Sequence, residues 1–356
     1  MDGAWVHNLS PFLIEFSEGF GVRYYGLAYL IGFFLAYFVL DGLAKRNKVL
    51  LSRELIPDLI TYVALGTLAG GRLGYVLFYS PELLWSFHAS FPFWGVLEVH
   101  KGGMASHGGI LGIAVATMMF SQKHKIMATH LLDVLCLSGP LGVFFGRIAN
   151  FINGELYGRE CPPDLWMAVK FPSEIYTWGS AEATKLHGLG AAAEALGTIT
   201  TRAGEKISVT ATQWSEWVNV YSFQAQRSMD QFKEAIVLAT QKHNPAVLEA
   251  LAPVLTPRYP SQLIQALLEG LLVFLILGYV WRKPRKPGLI TALFGLCYAV
   301  NRVIGEQFRL PDFGIGYQAL GLTRGQWLSI AMFIVFTVFL ILVLRRRTER
   351  IGGWGE

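Results

Sequence analysis

Apolar stretches close to twenty residues long recur seven times along the chain, at about 24–40, 55–79, 103–121, 131–150, 262–281, 289–308 and 327–344. A helix needs about 20 apolar residues to cross the hydrocarbon layer of a bilayer. The pattern therefore predicts an all-α polytopic membrane protein with about seven transmembrane helices. The second, fourth and sixth runs are interrupted by polar or charged residues. Between the fourth and fifth, residues 156–258 change in kind. They are rich in Glu, Lys, Thr, Gln and Ala, with an Ala/Gly-rich stretch around 188–197, and hold no run of span length. A folded extracytoplasmic insertion of mixed and helical structure is expected there, mostly helical from Gln213 to Leu251. The chain then reads as spans one to four with an outer arm at 81–101 (1–155), a head insertion (156–258), and spans five to seven with a basic C-terminus (259–356).

Basic residues fix the expected orientation. Lys45, Arg46, Lys48 and Arg53 follow span one, Lys123 and Lys125 span three, Arg282, Lys283, Arg285 and Lys286 span five, and Arg345, Arg346, Arg347 and Arg350 span seven. The alternate connections are poor in Lys and Arg. Positive charge is retained on the cytoplasmic side, so the N-terminus is expected outside and the C-terminus inside, as an odd number of spans requires. The arm at 81–101 carries Trp85, Phe87, Phe91, Phe93 and Trp94. An interfacial aromatic belt is the favoured reading of it, and an arm beside a substrate entrance the other.

Composition agrees with lipid as the solvent. Of 356 residues, 53% are hydrophobic and 15% charged, with a mean hydropathy of +0.41, against about 25% charged in soluble proteins. A net charge of +5 on so apolar a chain argues against a nucleic-acid partner. Cys136, Cys161 and Cys297 stand far apart without metal-ligand spacing, which excludes a familiar zinc site and argues against a disulfide framework. The first twenty residues hold Asp2, Glu15 and Glu18 but no Lys or Arg, so insertion is expected to come from internal spans and not from a cleaved signal peptide.

Charges inside spans are costly and face the protein interior by default. Here they are Arg72, Asp133, Arg147, Arg302 and Glu306, with His107 and Asn150 as polar companions. Arginine keeps its charge when buried, and its planar fork matches phosphate or carboxylate in two hydrogen bonds. Tyr298, Arg302 and Glu306 are spaced i, i+4, i+8, one stripe of a helix. Arg302 and Glu306 either form a self-contained pair or leave the arginine to an outside anion. Arg147 and Asn150 share a face at the end of span four. Arg72 lies among Gly70, Gly71 and Gly74, where a helix-packing arginine bonded to carbonyls is expected. His107, flanked by glycines, is either a histidine bonded between helices or a group that exchanges protons near neutrality.

The stretch Gly146–Arg147–Ile148–Ala149–Asn150–Phe151–Ile152–Asn153–Gly154–Glu155–Leu156–Tyr157–Gly158 resembles the signature of the prolipoprotein diacylglyceryl transferase family, G-R-x-[GA]-N-F-x-N-x-E-x-x-G. Further blocks follow the family's order: Arg23–Tyr24–Tyr25–Gly26, Gly70–Gly71–Arg72–Leu73–Gly74–Tyr75, His107–Gly108–Gly109, Tyr259–Pro260–Ser261–Gln262, and Tyr298-x-x-x-Arg302-x-x-x-Glu306-x-x-Arg309 with Pro311–Asp312. The resemblance spans nearly the whole chain apart from 177–254. In two respects the chain departs from it. Ile264–Gln265 stand where the family usually has Tyr-Glu, so the role of that acid is dispensable or filled by Glu269 or another group. The insertion is also longer than usual.

The resemblance implies a bacterial inner-membrane enzyme. It would transfer the sn-1,2-diacylglyceryl group of phosphatidylglycerol to the lipobox cysteine of a preprolipoprotein, forming a thioether and releasing glycerol phosphate. No cofactor and no metal are implied. Carried over residue by residue, the catalytic set is His107, Arg147, Arg302, Glu306 and Tyr25, and the substrate-binding set Arg147, Asn150, Glu155, Gly158, Tyr298 and Arg302. The arginines would stabilise charge on the leaving phosphate, oriented by Glu306 and Asn150. Tyr25 and Tyr298 would add hydrogen bonds, and His107 would take the thiol proton. A transporter or flippase for an anionic lipid is the competing reading from another class, and a phospholipase the competing one among enzymes.

Overall fold

Backbone polar groups in hydrocarbon must bond within their own segment, so the apolar runs fold as helices. The computed structural model describes residues 3–17, 19–89, 91–99, 102–179, 182–201, 204–311 and 316–355, with the side chains of Ser106 and His107 outside the description. The longer helices are α1 (Tyr24–Lys45), α2 (Ile56–Phe78), α3 (Ser106–His124) and α4 (Ala128–Ile152). Shorter ones follow: α5 (Ala183–Gly188), α6 (Gly190–Leu196), α7 (Ala211–Val220), α8 (Phe223–Gln241) and α9 (Pro245–Leu251). The chain continues with α10 (Ser261–Val280), α11 (Leu289–Gly305) and α12 (Arg324–Arg345).

Among the described residues, five helices are long and apolar enough to cross a membrane: α1, α2, α4, α10 and α12. Only 11% of the apolar window of α12 is buried, and Phe333, Ile334, Val335 and Val338 point outward. Such a surface on a helix of span length fits contact with lipid. The chain is thus a mostly helical, multi-pass membrane protein. Helix α11 is apolar but shorter, at 17 residues, and α3 covers most of the run at 103–121.

The chain forms two compact units. One comprises Met1–Tyr29, Phe144–Glu269 and Val300–Ile330. In it a three-stranded sheet, ordered β1 (Trp5–Val6), β4 (Val169–Lys170), β7 (Pro257–Arg258), ties together three distant segments. Strands β2 (Phe12–Ser17) and β3 (Phe20–Arg23) pair as an antiparallel hairpin, as do β5 (Ile199–Thr200) and β6 (Lys206–Ile207). The short helices bury Leu186, Trp214, Phe232, Ile236 and Leu251 in one apolar cluster. The helical expectation for 213–251 is met by α7, α8 and α9, punctuated by local chemistry. Thr210 and Gln213 form a capping box, and Ser222 and Asn244 cap the next two helices.

The other unit comprises Leu30–Val143, Gly270–Ala299 and Ala331–Glu356, with a core that includes Leu40, Ile56, Phe120, Leu131 and Trp281. Helices α2 and α3 meet backbone to backbone. A Cβ at Gly70 would lie 2.3 Å from the Gly108 carbonyl oxygen, and one at Gly112 would lie 1.9 Å from that of Gly66. Only glycine permits this approach. Arg72, 5% exposed, donates to the carbonyls of Gly95 (2.7 Å), Val96 (2.7 Å), Gly102 (2.7 Å) and Gly103 (3.0 Å), the carbonyl-bonding role expected of it. Asp133 accepts from Gly288 N, Thr291 N and Thr291 Oγ1, each at 2.7 Å, so this in-span acid serves the N-terminus of α11. In the arm, Trp85, Phe87, Phe91 and Phe93 are exposed.

Candidate active site

The signature Gly146–Gly158 becomes the last turns of α4 and the loop leaving it. Helical bonds end at Asn153 N and Gly154 N. Gly154 takes φ +66° and Leu156 φ +56°, turning the chain sharply. The Tyr259–Pro260–Ser261–Gln262 block holds that turn. Gln262 Nε2 donates to the Glu155 carbonyl at 2.6 Å, and Ser261 Oγ to that of Leu156 at 2.9 Å. Gly158 then runs between two strand-like segments. Its N–H donates to Tyr259 O at 3.0 Å, and a Cβ there would lie 2.3 Å from that oxygen and 2.7 Å from Phe308 O.

Two groups of side chains stand on this frame. In the first, Tyr25 at the start of α1 hydrogen-bonds through its hydroxyl to Asn150 Oδ1 at 2.6 Å and to Glu155 Oε1. Burial pushes the Glu155 carboxyl above its ordinary range, against the opposing charge of Arg23. Asn150, expected to orient an arginine, thus serves Tyr25.

The second group is ionic. Arg147 donates to Glu269 Oε2 from Nε (3.2 Å) and Nη2 (2.9 Å), and Arg302 donates from Nη1 to Oε1 of the same carboxylate at 3.1 Å. Glu269 is fully buried, whereas the two arginine side chains are 15% and 13% exposed. Arg302 also meets Glu306 Oε1 at 2.8 Å, and Arg309 Nη1 reaches the same oxygen at 3.3 Å. Thr323 Oγ1 donates to Glu306 Oε2 at 2.8 Å at the start of α12, where a helix N-terminus favours negative charge. Arg159 braces this corner from Nε to Arg309 O and from Nη2 to Glu306 O. A buried carboxylate needs its charge partners, so Glu269 keeps both arginines in place without a ligand.

The structure brings Tyr25, Asn150, Glu155, Gly158, Arg147, Arg302 and Glu306 into one unit. Tyr298 belongs to the other, where its ring stacks on Phe294 at 5.9 Å. His107 is in the first turn of α3, but its side chain lies outside the described residues, as does Asp312. In the sequence Glu269 stands only as a substitute for a missing acid, yet in the fold it joins both arginines. Its signal was an acid inside an apolar span. Arg159 and Thr323 lie in polar connections and carried no such signal.

A model of the prolipoprotein diacylglyceryl transferase family matches residues 11–342. The chain is similar to the phosphatidylglycerol–prolipoprotein diacylglyceryl transferase of Bdellovibrio bacteriovorus, at 50% identity over 351 residues, 98% of this chain and 97% of the relative. Proteins of the same name from Rhodospirillum rubrum and Neisseria gonorrhoeae are 31% and 33% identical. The first match covers 97% of this chain and 96% of the relative, the second 92% and 94%.

Proposed function

We propose that this chain, which belongs to the prolipoprotein diacylglyceryl transferase family, moves the sn-1,2-diacylglyceryl group of phosphatidylglycerol onto the lipobox cysteine of a preprolipoprotein. The cysteine sulfur attacks the glyceryl carbon that bears the phosphodiester. A C–S bond forms as the C–O bond breaks, the electron pair leaves on glycerol phosphate, and the thiol proton passes to a base. The nucleophile is the thiolate.

One observation carries this mechanism: two arginines from different helices converge on a single carboxylate. That carboxylate holds the two forks where a phosphodiester could engage both. Among the described residues Arg147 meets Glu269 through Nε and Nη2, so Nη1 gives a headgroup oxygen its first donor before the fork turns to it. Fixed cations in a low-dielectric site stabilise the charge that grows on the leaving phosphate. Glu306 orients Arg302, and Tyr25 with Asn150 and Glu155 shapes the adjoining wall. His107 is assigned as the base that takes the thiol proton, and Tyr298 as a further hydrogen-bond donor.

Around this chemistry we place seven spans, adding α3 and α11 to the five long helices. The N-terminus is outside the bacterial inner membrane, the C-terminus is cytoplasmic, and 156–258 is an extracytoplasmic head. Purified protein supplied with labelled phosphatidylglycerol and a lipobox peptide tests the reaction. Thioether product with release of glycerol phosphate is expected. Hydrolysis without peptide, or no product at all, would overturn it. Near-normal turnover by His107→Ala would remove the histidine from the role of base.

A further inference from the structure

We propose that Gln265 is a positioning residue that takes over the Glu269 carboxylate when a lipid phosphate draws Arg147 and Arg302 away from it. The inference rests on the phosphate clamp proposed above. Each oxygen of Glu269 is held by one arginine, and a phosphodiester bound by the same forks competes for the same N–H groups. Glu269 is fully buried. A buried carboxylate stripped of its donors must find another donor or take up a proton.

Gln265 stands one turn earlier on α10 and is also fully buried. Among the described residues neither its Nε2 nor its Oε1 has a hydrogen-bond partner. Buried amide groups left unbonded are rare and destabilising, so this side chain calls for a state in which it is used. Both side chains lie against the same wall. Glu269 Oε1 and Gln265 Nε2 lie 3.4 and 3.5 Å from the point where a Cβ on Gly305 would sit, and Gln265 Cγ lies 3.0 Å from it. With glycine there, α11 lets the amide and the carboxylate lie beside each other against its backbone.

The backbone need not move for this exchange. Residues Ala266–Leu272 form a π-helical segment, a local widening often found at functional sites. Asn301 Nδ2 donates to the Leu268 carbonyl at 3.0 Å, pinning that segment to α11. The handover is therefore a side-chain rotation on a fixed support.

A double-mutant cycle on the full-length protein in detergent micelles tests this, using phosphatidylglycerol and a lipobox peptide as substrates. Gln265→Leu should raise KM for phosphatidylglycerol about tenfold, as expected when a buried charged group loses its donor, and change kcat by less than about twofold. The melting temperature of the lipid-free protein should not fall, because two unbonded polar atoms have been removed. In a Glu269→Gln background the same substitution should cost nothing further, since no carboxylate then needs relief. Should Glu269→Gln abolish turnover, equilibrium binding of labelled phosphatidylglycerol reads the same cycle. An unchanged KM in Gln265→Leu, or an equal loss in both backgrounds, overturns the inference. Wild-type phosphatidylglycerol affinity in Arg147→Ala instead removes the clamp beneath it.

Discussion

Arg147 and Glu269, 122 residues apart in sequence, meet through two hydrogen bonds to a single carboxylate oxygen. The other oxygen of Glu269 receives Arg302, so one acid sets the spacing of both cations. If these arginines hold the leaving phosphate, Arg147→Ala and Arg302→Ala each lower kcat by at least about 10²-fold. Arg→Lys at either site loses about tenfold or more, because an ammonium cannot reproduce the fork. Thioether formation from labelled lipid measures both. Full activity in an alanine variant would remove that arginine from the clamp.

Tyr25 joins Asn150 to Glu155, and Tyr25→Phe removes the hydroxyl between them. The expected cost is about 1–3 kcal/mol, read by thermal unfolding in detergent, since a half-buried carboxyl loses its donor. Burial raises the folded-state pKa of Glu155. Its stabilising contribution is therefore present below the pKa of the unfolded chain and is lost as pH rises through the folded value. Glu155→Gln should flatten that part of the stability profile, and an unchanged profile would place the carboxyl in a more solvated setting.

His7 makes the opposite prediction with pH. Its ring lies 5.4 Å from those of Trp5, Phe151 and Phe171, and burial lowers its pKa from 6.5 to about 4. The folded state holds it neutral, while the unfolded chain takes up a proton below about 6.5. Stability should then fall between pH 6.5 and 4, by on the order of 3 kcal/mol in total. His7→Phe should remove this dependence. A variant that keeps the wild-type slope would assign it to other groups.

Gly158 allows no side chain. A Cβ at this position would lie 2.3 Å from the Tyr259 carbonyl oxygen, so Gly158→Ala must push apart the segments that carry Ser261–Gln262 and Phe308–Arg309. A loss of more than about 3 kcal/mol is expected, together with loss of transfer. Wild-type melting in this variant would mean that the segments separate easily.

How much of this was legible in the sequence depends on what each element answers to. Span positions followed from apolar length, and Arg72, Asp133, Arg147, Arg302 and Glu306 stood out because charge in hydrocarbon demands a reason. The carbonyl-bonding role of Arg72 could be read from its glycine neighbours. Asn150 was assigned to an arginine because the two are three residues apart on α4. Its partner Tyr25 enters from another helix, 125 residues away, a meeting that periodicity cannot encode. Glu269 was visible as an acid in an apolar run, but its joining of two arginines depends on the approach of α4 and α11 and on the π-helical segment of α10. The fold of 177–254 was not derivable, since its short helices bury their faces on one another and no single one carries a long periodic signal.

The glycine seam between α2 and α3 carries a last implication. With carbonyl oxygens occupying the space where side chains would otherwise stand, a side chain added on either face would force the two helices apart. Close backbone packing ties the two helices together, so α3, whose first turn holds His107, is expected to keep its place beside α2. Adjustment to an arriving peptide is then expected at the ends of the pair, where the glycine contacts stop.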